Sequence, residues 1–417
     1  MKKQPNTRVL MLVENSHYPQ DPRVRRESRA LLAAGYQVSV ICPAKPGQPL
    51  RETVKGARVY RYPQSQLLEG PVGYLLEYSY SMAATLLTSL EVFWREGFDV
   101  IHAANPPDTF VFIAAMYRLL GKRFIYDHHD LAPEMYEARF GVRSGGLVYR
   151  TLVLLERLSC RLADGVIATN QSYKAIEMQR GGVPEERITI VRNGPDLALF
   201  QDAKPDPSLK QDGKALIVFA GVMGPQDGVD YLLRALSHLV HDLRRTDFSC
   251  VLVGGTGDAR SSLEALVSEL GLGPHVRFTG WVSDSDWARY ISSADICVDP
   301  DPSNAFSDKS TMIKMMEYMA AGRPIVAFDL PEHRFTAREA AIYVGANNEL
   351  EFARAIALLM DDPARRETMG SFGRRRVEAE LAWQYSMPHL LSAYEKIVGG
   401  PKRRAAGAAA TWHDATN

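Results

Sequence analysis

Two doubly wound, parallel-sheet α/β domains are the architecture this sequence predicts, and three observations carry that expectation. Short apolar runs alternate with segments of helical period over most of the chain, the pattern of parallel strands joined by crossover helices. The order strand, turn, helix, strand starts again at Ala215, after the charged, proline-bearing stretch FQDAKPDPSLKQDGK. At 417 residues the chain also exceeds what one hydrophobic core usually holds. The expected division is a first domain over residues 1–198, a linker over 199–212, a second domain over 213–380, a final helix over about 381–398 and a disordered tail over 399–417.

In the first half, strands are read at residues 8–13, 37–42, 59–62, 99–102, 124–127, 166–169 and 188–191. The first strand leads into the loop ENSHYPQDPRVRRE and a helix over about 22–34 that stops at Gly35. Open α/β sheets keep ligands at the carboxyl ends of their strands, so His17, Tyr18, Asp21 and Arg23 of this loop, with Arg25 and Arg26 beside them, are candidates for acceptor contact; a solvated loop with a basic helix start is the plain alternative. The loop has no glycine and cannot cradle a pyrophosphate as G-x-G-x-x-G does. The strand ending at Asp127 runs into His128, His129 and Asp130 at the same edge, which points to a site role for this histidine pair. His102 reads more readily as a core histidine.

The second half repeats the order, with strands at 215–220, 250–253, 276–279 and 296–298. Gly254-Gly255-Thr256-Gly257 is a weak phosphate-loop signal, since any tight strand-to-helix turn can use it. Asp299-Pro300-Asp301 matches the three-letter D-x-D pattern of metal-binding carboxylates, a pattern too short to assign a metal. Next comes NAFSDKSTMIKMMEYMAAGRPIVA. From about Lys309 its period is that of a helix with Met312, Met315, Met316 and Met319 on one side and Ser310, Lys314 and Glu317 on the other. Ser307 or Asp308 can cap it and Gly322 stops it before a strand at 325–328. Its start, with free N–H groups and the positive end of the dipole, suits an anion. Beyond Pro331 the period is helical throughout.

Lys plus Arg and Asp plus Glu are equal at 49 each, so no overall field points to nucleic acid. Cys42, Cys160, Cys250 and Cys297 are far apart, with no metal-ligand spacing, and read as reduced thiols of a cytosolic protein. The N-terminal apolar run ends at Glu14 without a cleavage pattern, so no signal peptide is expected. The apolar stretch from Tyr78 to Leu90, 13 residues between two glutamates, is too short to span a bilayer. That segment and residues 146–163, with Arg150, Arg157 and Arg161 on one helical face, are the two that could lie on a membrane surface; packing on the sheet is the plain reading of both.

These segments together resemble glycosyltransferase family 4, whose GT-B fold sets two Rossmann-like domains face to face. The carriers are DPRVRRESRALLAAGYQVSVI, YDHHDLAPE, IVRNGPDLALF, FTGWV and SADICVDPDPSNAFSDKSTMIKMMEYMAAGRPIVAFDLPEHRFTAREAA, so the resemblance spans about residues 8–398. It implies retaining transfer of a sugar from a nucleotide-sugar, a UDP- or GDP-sugar, with no metal and no other cofactor. The acceptor, a saccharide and in many members a lipid-linked one, belongs to the first domain and the donor to the second. The last helix, after about Leu381, crosses back to the first domain. Polysaccharide assembly in the cytoplasm, with peripheral contact to the inner membrane, is the setting it implies. By the same resemblance Glu317 holds the ribose, Ser310 and Thr311 offer backbone N–H groups to the diphosphate, His129 lies near the donor sugar, and Gly221, Val222 and Val282 line the donor pocket.

Two departures stand out. Lys309 occupies the position, eight before Glu317, where the family has a glutamate that touches the sugar. Val222 and Asp227 occupy the turn positions where the family has an arginine and a lysine on the diphosphate. A helix terminus contributes at most about 2 kcal/mol toward an anion, so Lys309 and Lys314 are expected to replace the missing cations. In a rival reading Lys309 pairs with a carboxylate on the donor sugar. A nucleotide-sugar 2-epimerase and a non-catalytic nucleotide-sugar-binding subunit are the alternative functions of the same fold.

Overall fold

The apolar runs of the first half lie side by side as parallel strands because each is buried on both faces and must satisfy its backbone within the sheet. A computed structural model describes residues 7–64, 71–141, 145–211, 213–255 and 259–399. The first sheet contains β1 (Arg8–Leu12), β2 (Gln37–Ala44), β3 (Arg51–Val54), β4 (Ala57–Pro63), β5 (Val100–Ala104), β6 (Arg123–His128), β7 (Gly165–Ala168) and β8 (Ile188–Ile190). Their order is β3-β4-β2-β1-β5-β6-β7-β8, all parallel except the β3–β4 pair. Helices Pro71–Arg95, Phe110–Leu119 and Leu147–Leu162 cover one face; Pro22–Ala33 and Trp383–Gly399 cover the other.

The second sheet contains β9 (Ala215–Ala220), β10 (Phe248–Val253), β11 (Val276–Gly280), β12 (Ile296–Asp299), β13 (Ile325–Phe328) and β14 (Ala341–Val344), in the order β11-β10-β9-β12-β13-β14. Helices Val229–His241 and Glu349–Asp361 pack on one face, Asp284–Ser293 and Ile313–Ala320 on the other. Met315, Met316 and Met319 fill the latter core, and Met312 packs at its edge.

Four sequence expectations need correction. The helix expected from Lys309 starts at Ile313. Asn304 Oδ1 accepts from the N–H groups of Phe306 and Ser307 at 2.9 Å each, which tightens Ser307–Lys309 into a 3-10 turn, while Met312 is extended and serves as the cap position without a side-chain bond. Ser310 and Thr311 therefore precede the helix rather than lying on its polar stripe. The segment after Pro331 is not wholly helical, because β14 pairs with β13. Strand β3 escapes sequence reading because it is a short, largely exposed edge strand; it closes on β4 through Lys55 (φ 49°) and Gly56 (φ 93°), the mirror-image turn that hairpin twist favours. The expected linker is not free of structure: Leu197–Gln201 is helical, and Phe200 is buried in the second domain's core.

The chain returns to the first domain through Ala382, and helix Trp383–Gly399 buries Leu390, Tyr394 and Ile397 there. Gly194 sits against this return, where a Cβ would lie 2.2 Å from the carbonyl of Leu381. Of the expected tail over 399–417, Gly399 ends the last helix, and 400–417, like Thr256 and Gly257, lie outside the described residues. Among the described residues no helix is long and apolar enough to cross a membrane.

Candidate active site

The edge of the first sheet is organised by a buried ion network. Arg23 donates to both oxygens of Asp127, at 2.7 and 2.5 Å, and lies 3.3 Å from Glu27. Planar guanidinium and carboxylate match in this two-point contact, which fixes the end of β6 against helix Pro22–Ala33. His102 joins from β5, with Nε2 3.2 Å from Glu27 and 3.5 Å from Asp127, and its Nδ1 lies 2.8 Å from the Tyr394 hydroxyl of the final helix. Burial opposes a charge on His102, but the two carboxylates outweigh it and raise its pKa to about 9.

Asp127 also stands 3.3 Å from Nδ1 of His129. Burial lowers the pKa of His129 and Asp127 raises it, with a net upward shift. The loop that carries this histidine is held by Asn105, whose Oδ1 accepts from the N–H groups of His129 at 2.8 Å and Asp130 at 3.1 Å. His128 points away from His129, into the core, between Glu156 and Glu177.

The other candidates of the first loop have local partners. Tyr18 is buried with its hydroxyl 3.0 Å from Ser28, Asp21 caps its helix by accepting from Val24 N–H, and His17 Nδ1 lies 3.0 Å from the carbonyl of Pro43. Arg23 is buried in the network described above. These side chains thus also hold the loop's own structure.

In the second domain Lys314 is buried, its ammonium bonded to Asp301, 3.2 Å from Asp299 and 4.9 Å from the Phe219 ring. Its charge is spent on carboxylates of its own domain, which corrects the expectation that it neutralises a diphosphate. Gly221 lies alongside: a Cβ there would be 3.1 Å from the Phe219 ring and 3.7 Å from the Lys314 side chain. Val222 is exposed, and Val282 packs at the edge of the methionine-lined core. Glu317 accepts from the Trp287 indole at 3.0 Å. Burial raises its pKa to about 7, against the lowering effects of Trp287 and of Arg26.

Arg26, another of the basic residues read in the first loop for acceptor contact, acts electrostatically on Glu317 from the first domain. Its Nη1 donates to the Gly194 carbonyl at 2.9 Å, its guanidinium lies 5.8 Å from the Trp383 ring, and Nε and Nη2 have no hydrogen-bond partner among the described residues. It touches both chain crossings between the domains.

The segment before helix Ile313–Ala320 is gripped by the end of β7. Asn170 Nδ2 donates to the Lys309 carbonyl at 2.8 Å and to Thr311 Oγ1 at 2.9 Å, and Tyr173 OH lies 3.0 Å from Ser310 Oγ. Thr311 donates to Glu332, which accepts from Ser172 at 2.6 Å. Phe306 enters the first domain's core. Lys309 turns its ammonium back onto the Ala305 carbonyl at 2.9 Å. Asn170 could be read from sequence only as a helix cap, which it also is, through Tyr173 N–H.

Carboxyl-edge residues of two parallel sheets thus meet across one seam, as the sequence motifs anticipate. The first half matches the "Glycosyl transferase 4-like domain" model over residues 20–194, and the second the "Glycosyl transferases group 1" model over residues 214–362. The chain belongs to this glycosyltransferase family. As an enzyme of sugar transfer it has full-length relatives. An uncharacterized glycosyltransferase of Methanocaldococcus jannaschii is 25% identical over 385 residues, 88% of this chain and 92% of the relative. The fold of this glycosyltransferase is that of sucrose-phosphate synthase from Thermosynechococcus elongatus, with a TM-score of 0.78 at 21% identity over 94% of this chain and 100% of the other. Anabaena HepE, solved in complex with UDP-glucose, has a TM-score of 0.69 at 17% identity over 94% and 100% of the two chains.

Proposed function

We propose that this glycosyltransferase moves a sugar, with retention at the anomeric carbon, from a nucleotide-sugar to a lipid-carried saccharide during polysaccharide assembly. Glu317 carries the reading. It is a carboxylate in the seam, accepting from Trp287 and within electrostatic reach of Arg26, at the position the family motif gives to ribose recognition. Two carboxylate oxygens suit a ribose diol, and the N–H groups that open helix Ile313–Ala320 suit a phosphate. In this reading the acceptor oxygen bonds to the anomeric carbon as the bond from that carbon to phosphate breaks on the same face. The acceptor's proton passes to a phosphate oxygen, so no side-chain nucleophile is required. His129, held by Asp127, faces the sugar.

The outer face of helix Leu147–Leu162 supports a lipid-borne acceptor. Leu147, Leu154 and Leu158 are exposed there beside exposed Arg150 and Arg157, with Arg161 following, a mixture suited to the boundary of an anionic bilayer.

The test is a thermal-shift screen with UDP, GDP and their sugars, followed by product analysis with the donor that binds. A nucleoside diphosphate should raise Tm in the wild type and markedly less in Glu317→Gln, and the product should keep the donor's anomeric configuration. Inverted product overturns the retaining mechanism; epimerised donor without transfer, or binding with no turnover, selects one of the alternatives.

A further inference from the structure

Helix Pro71–Arg95 packs one face into the first domain's core, through Val92 with Met82, Leu86 and Phe93, and presents the opposite face to solvent. Leu76, Ser79, Ala83, Leu87, Leu90 and Trp94 are exposed and recur every three or four positions, so they form one stripe along the helix. Trp94 is 82% exposed and Leu87 67%. The outer face of a surface helix ordinarily carries charge, yet none of these positions does. Leu119 and Leu120, exposed at the end of helix Phe110–Leu119, extend the patch: the Lys122 ammonium lies 5.5 Å from the Phe93 ring, which brings that end beside Trp94.

The stripe is complementary to itself. Its first half is small at Ser79 and Ala83, and its second half is large at Leu87, Leu90 and Trp94. Two such helices packed antiparallel, about a two-fold axis at the level of Thr85, set Ala83 against Leu87 of the second copy, Ser79 against Leu90 and Leu76 against Trp94. Small positions then leave the room that large ones fill. The charges at the rim agree. Glu77 and Arg95 lie about five turns apart on the same flank of the stripe, and antiparallel packing brings a flank of one helix against the same flank of the other, Glu77 against Arg95. An anionic bilayer is the poorer occupant, because Glu77 and Glu91 border the stripe and it lacks the row of arginines that marks helix Leu147–Leu162.

We infer that two copies of this chain pair through helix Pro71–Arg95, antiparallel and about a two-fold axis. Leu76, Leu87, Leu90, Trp94, Leu119 and Leu120, with the polar rim around them, reach the scale of about 800 Å² per partner that a stable pair buries, and Trp94 supplies an aromatic anchor at each end. The pairing does not depend on the donor reading, and it leaves the exposed face of helix Leu147–Leu162 to the lipid.

In sedimentation velocity without detergent, the full chain at micromolar concentration should run as a two-copy species. Leu87→Glu should weaken pairing at least roughly tenfold and leave the far-UV circular dichroism unchanged, because this side chain is exposed on the single copy. Leu76→Cys mixed with Trp94→Cys should give an intermolecular disulfide on oxidation, against a background of four buried native cysteines. Neither variant should cross-link alone, since equal positions near the helix ends of antiparallel copies lie roughly 27 Å apart. A wild type that stays single, or pairing that Leu87→Glu leaves intact, overturns the interface. Cross-linking of Leu76→Cys with itself overturns the antiparallel arrangement. A single-copy wild type that binds anionic vesicles and loses that binding in Leu87→Glu overturns the pairing and gives the stripe to a bilayer.

Discussion

The side-chain amide of Asn170, at the end of a first-domain strand, donates to the Thr311 hydroxyl of the second domain at 2.9 Å and to the Lys309 carbonyl at 2.8 Å. Its oxygen meanwhile caps helix Gln171–Gln179. Asn170→Asp keeps the cap and loses both cross-domain donations, whereas Asn170→Ala loses all three. Each bond contributes about 0.5–1.5 kcal/mol, so kcat/KM should fall roughly tenfold in both variants, with Tm lowered in both because each loses the two cross-domain bonds. Wild-type kcat/KM in Asn170→Asp would show that this contact has no part in turnover.

Glu317 gives a pH signature. Burial places its pKa near 7 in the folded protein, so it is half protonated at neutrality. If the ionised form receives the ribose, nucleoside diphosphate affinity should rise as pH passes from about 6 to 8 and then level off. Trp287→Phe removes the hydrogen bond that holds this pKa down and should move the rise to higher pH. Glu317→Gln gives the baseline, which contains only the titration of the phosphate; an identical profile in wild type and Glu317→Gln counts against the role.

Removing Arg23 strands two buried carboxylates. Arg23→Met should cost about 3–5 kcal/mol in denaturant unfolding, because Asp127 and Glu27 are left with His102 as their shared partner. Adding Asp127→Asn should recover part of that loss, and a strictly additive double mutant would deny the coupling.

His102 and His128 both have folded-state pKa values raised to about 9, against roughly 6.5 in an unfolded chain. In each the bonded carboxylates overcome an opposing effect of burial. Groups raised in this way contribute their full stabilisation below about pH 6.5 and lose it as pH climbs through 9. Tm should therefore decline between pH 6.5 and 9, and Glu177→Gln, which removes the 3.2 Å partner of His128, should flatten the decline. A wild-type Tm constant over that range would contradict these charge states.

The exposed leucines and arginines of helix Leu147–Leu162 predict flotation with anionic vesicles and weaker binding to neutral ones. Each arginine near such a surface contributes about 1 kcal/mol, so reversing Arg150, Arg157 and Arg161 to glutamate should release the protein. Failure of the wild type to float would remove the membrane from the proposal.

Much of the fold was legible because parallel strands buried on both faces are continuous apolar runs. Strands such as Ala215–Ala220 and Ile325–Phe328 declare themselves, whereas Arg51–Val54, exposed at an edge, carries no such signal. The start of helix Ile313–Ala320 was misread because its period extends back to Lys309, but Asn304 diverts the backbone into a tight turn. Arg23 resembled a surface residue of a polar loop; its partner Asp127 is 104 positions away. Lys314 looked free on a polar stripe until Asp299 and Asp301 were brought against it.

The sequence by itself determined two parallel-sheet domains, the methionine-lined helix face and the glycosyltransferase motifs, since strand and helix periods and motif spacing are local properties of the chain. Tertiary structure alone decided where the charges went. It committed Arg23 and Lys314 to buried carboxylates and brought Arg26 within electrostatic reach of Glu317. Ion pairing depends on which groups come within about 4 Å of one another, and no period in a sequence reports the approach of groups that lie on different elements of the fold.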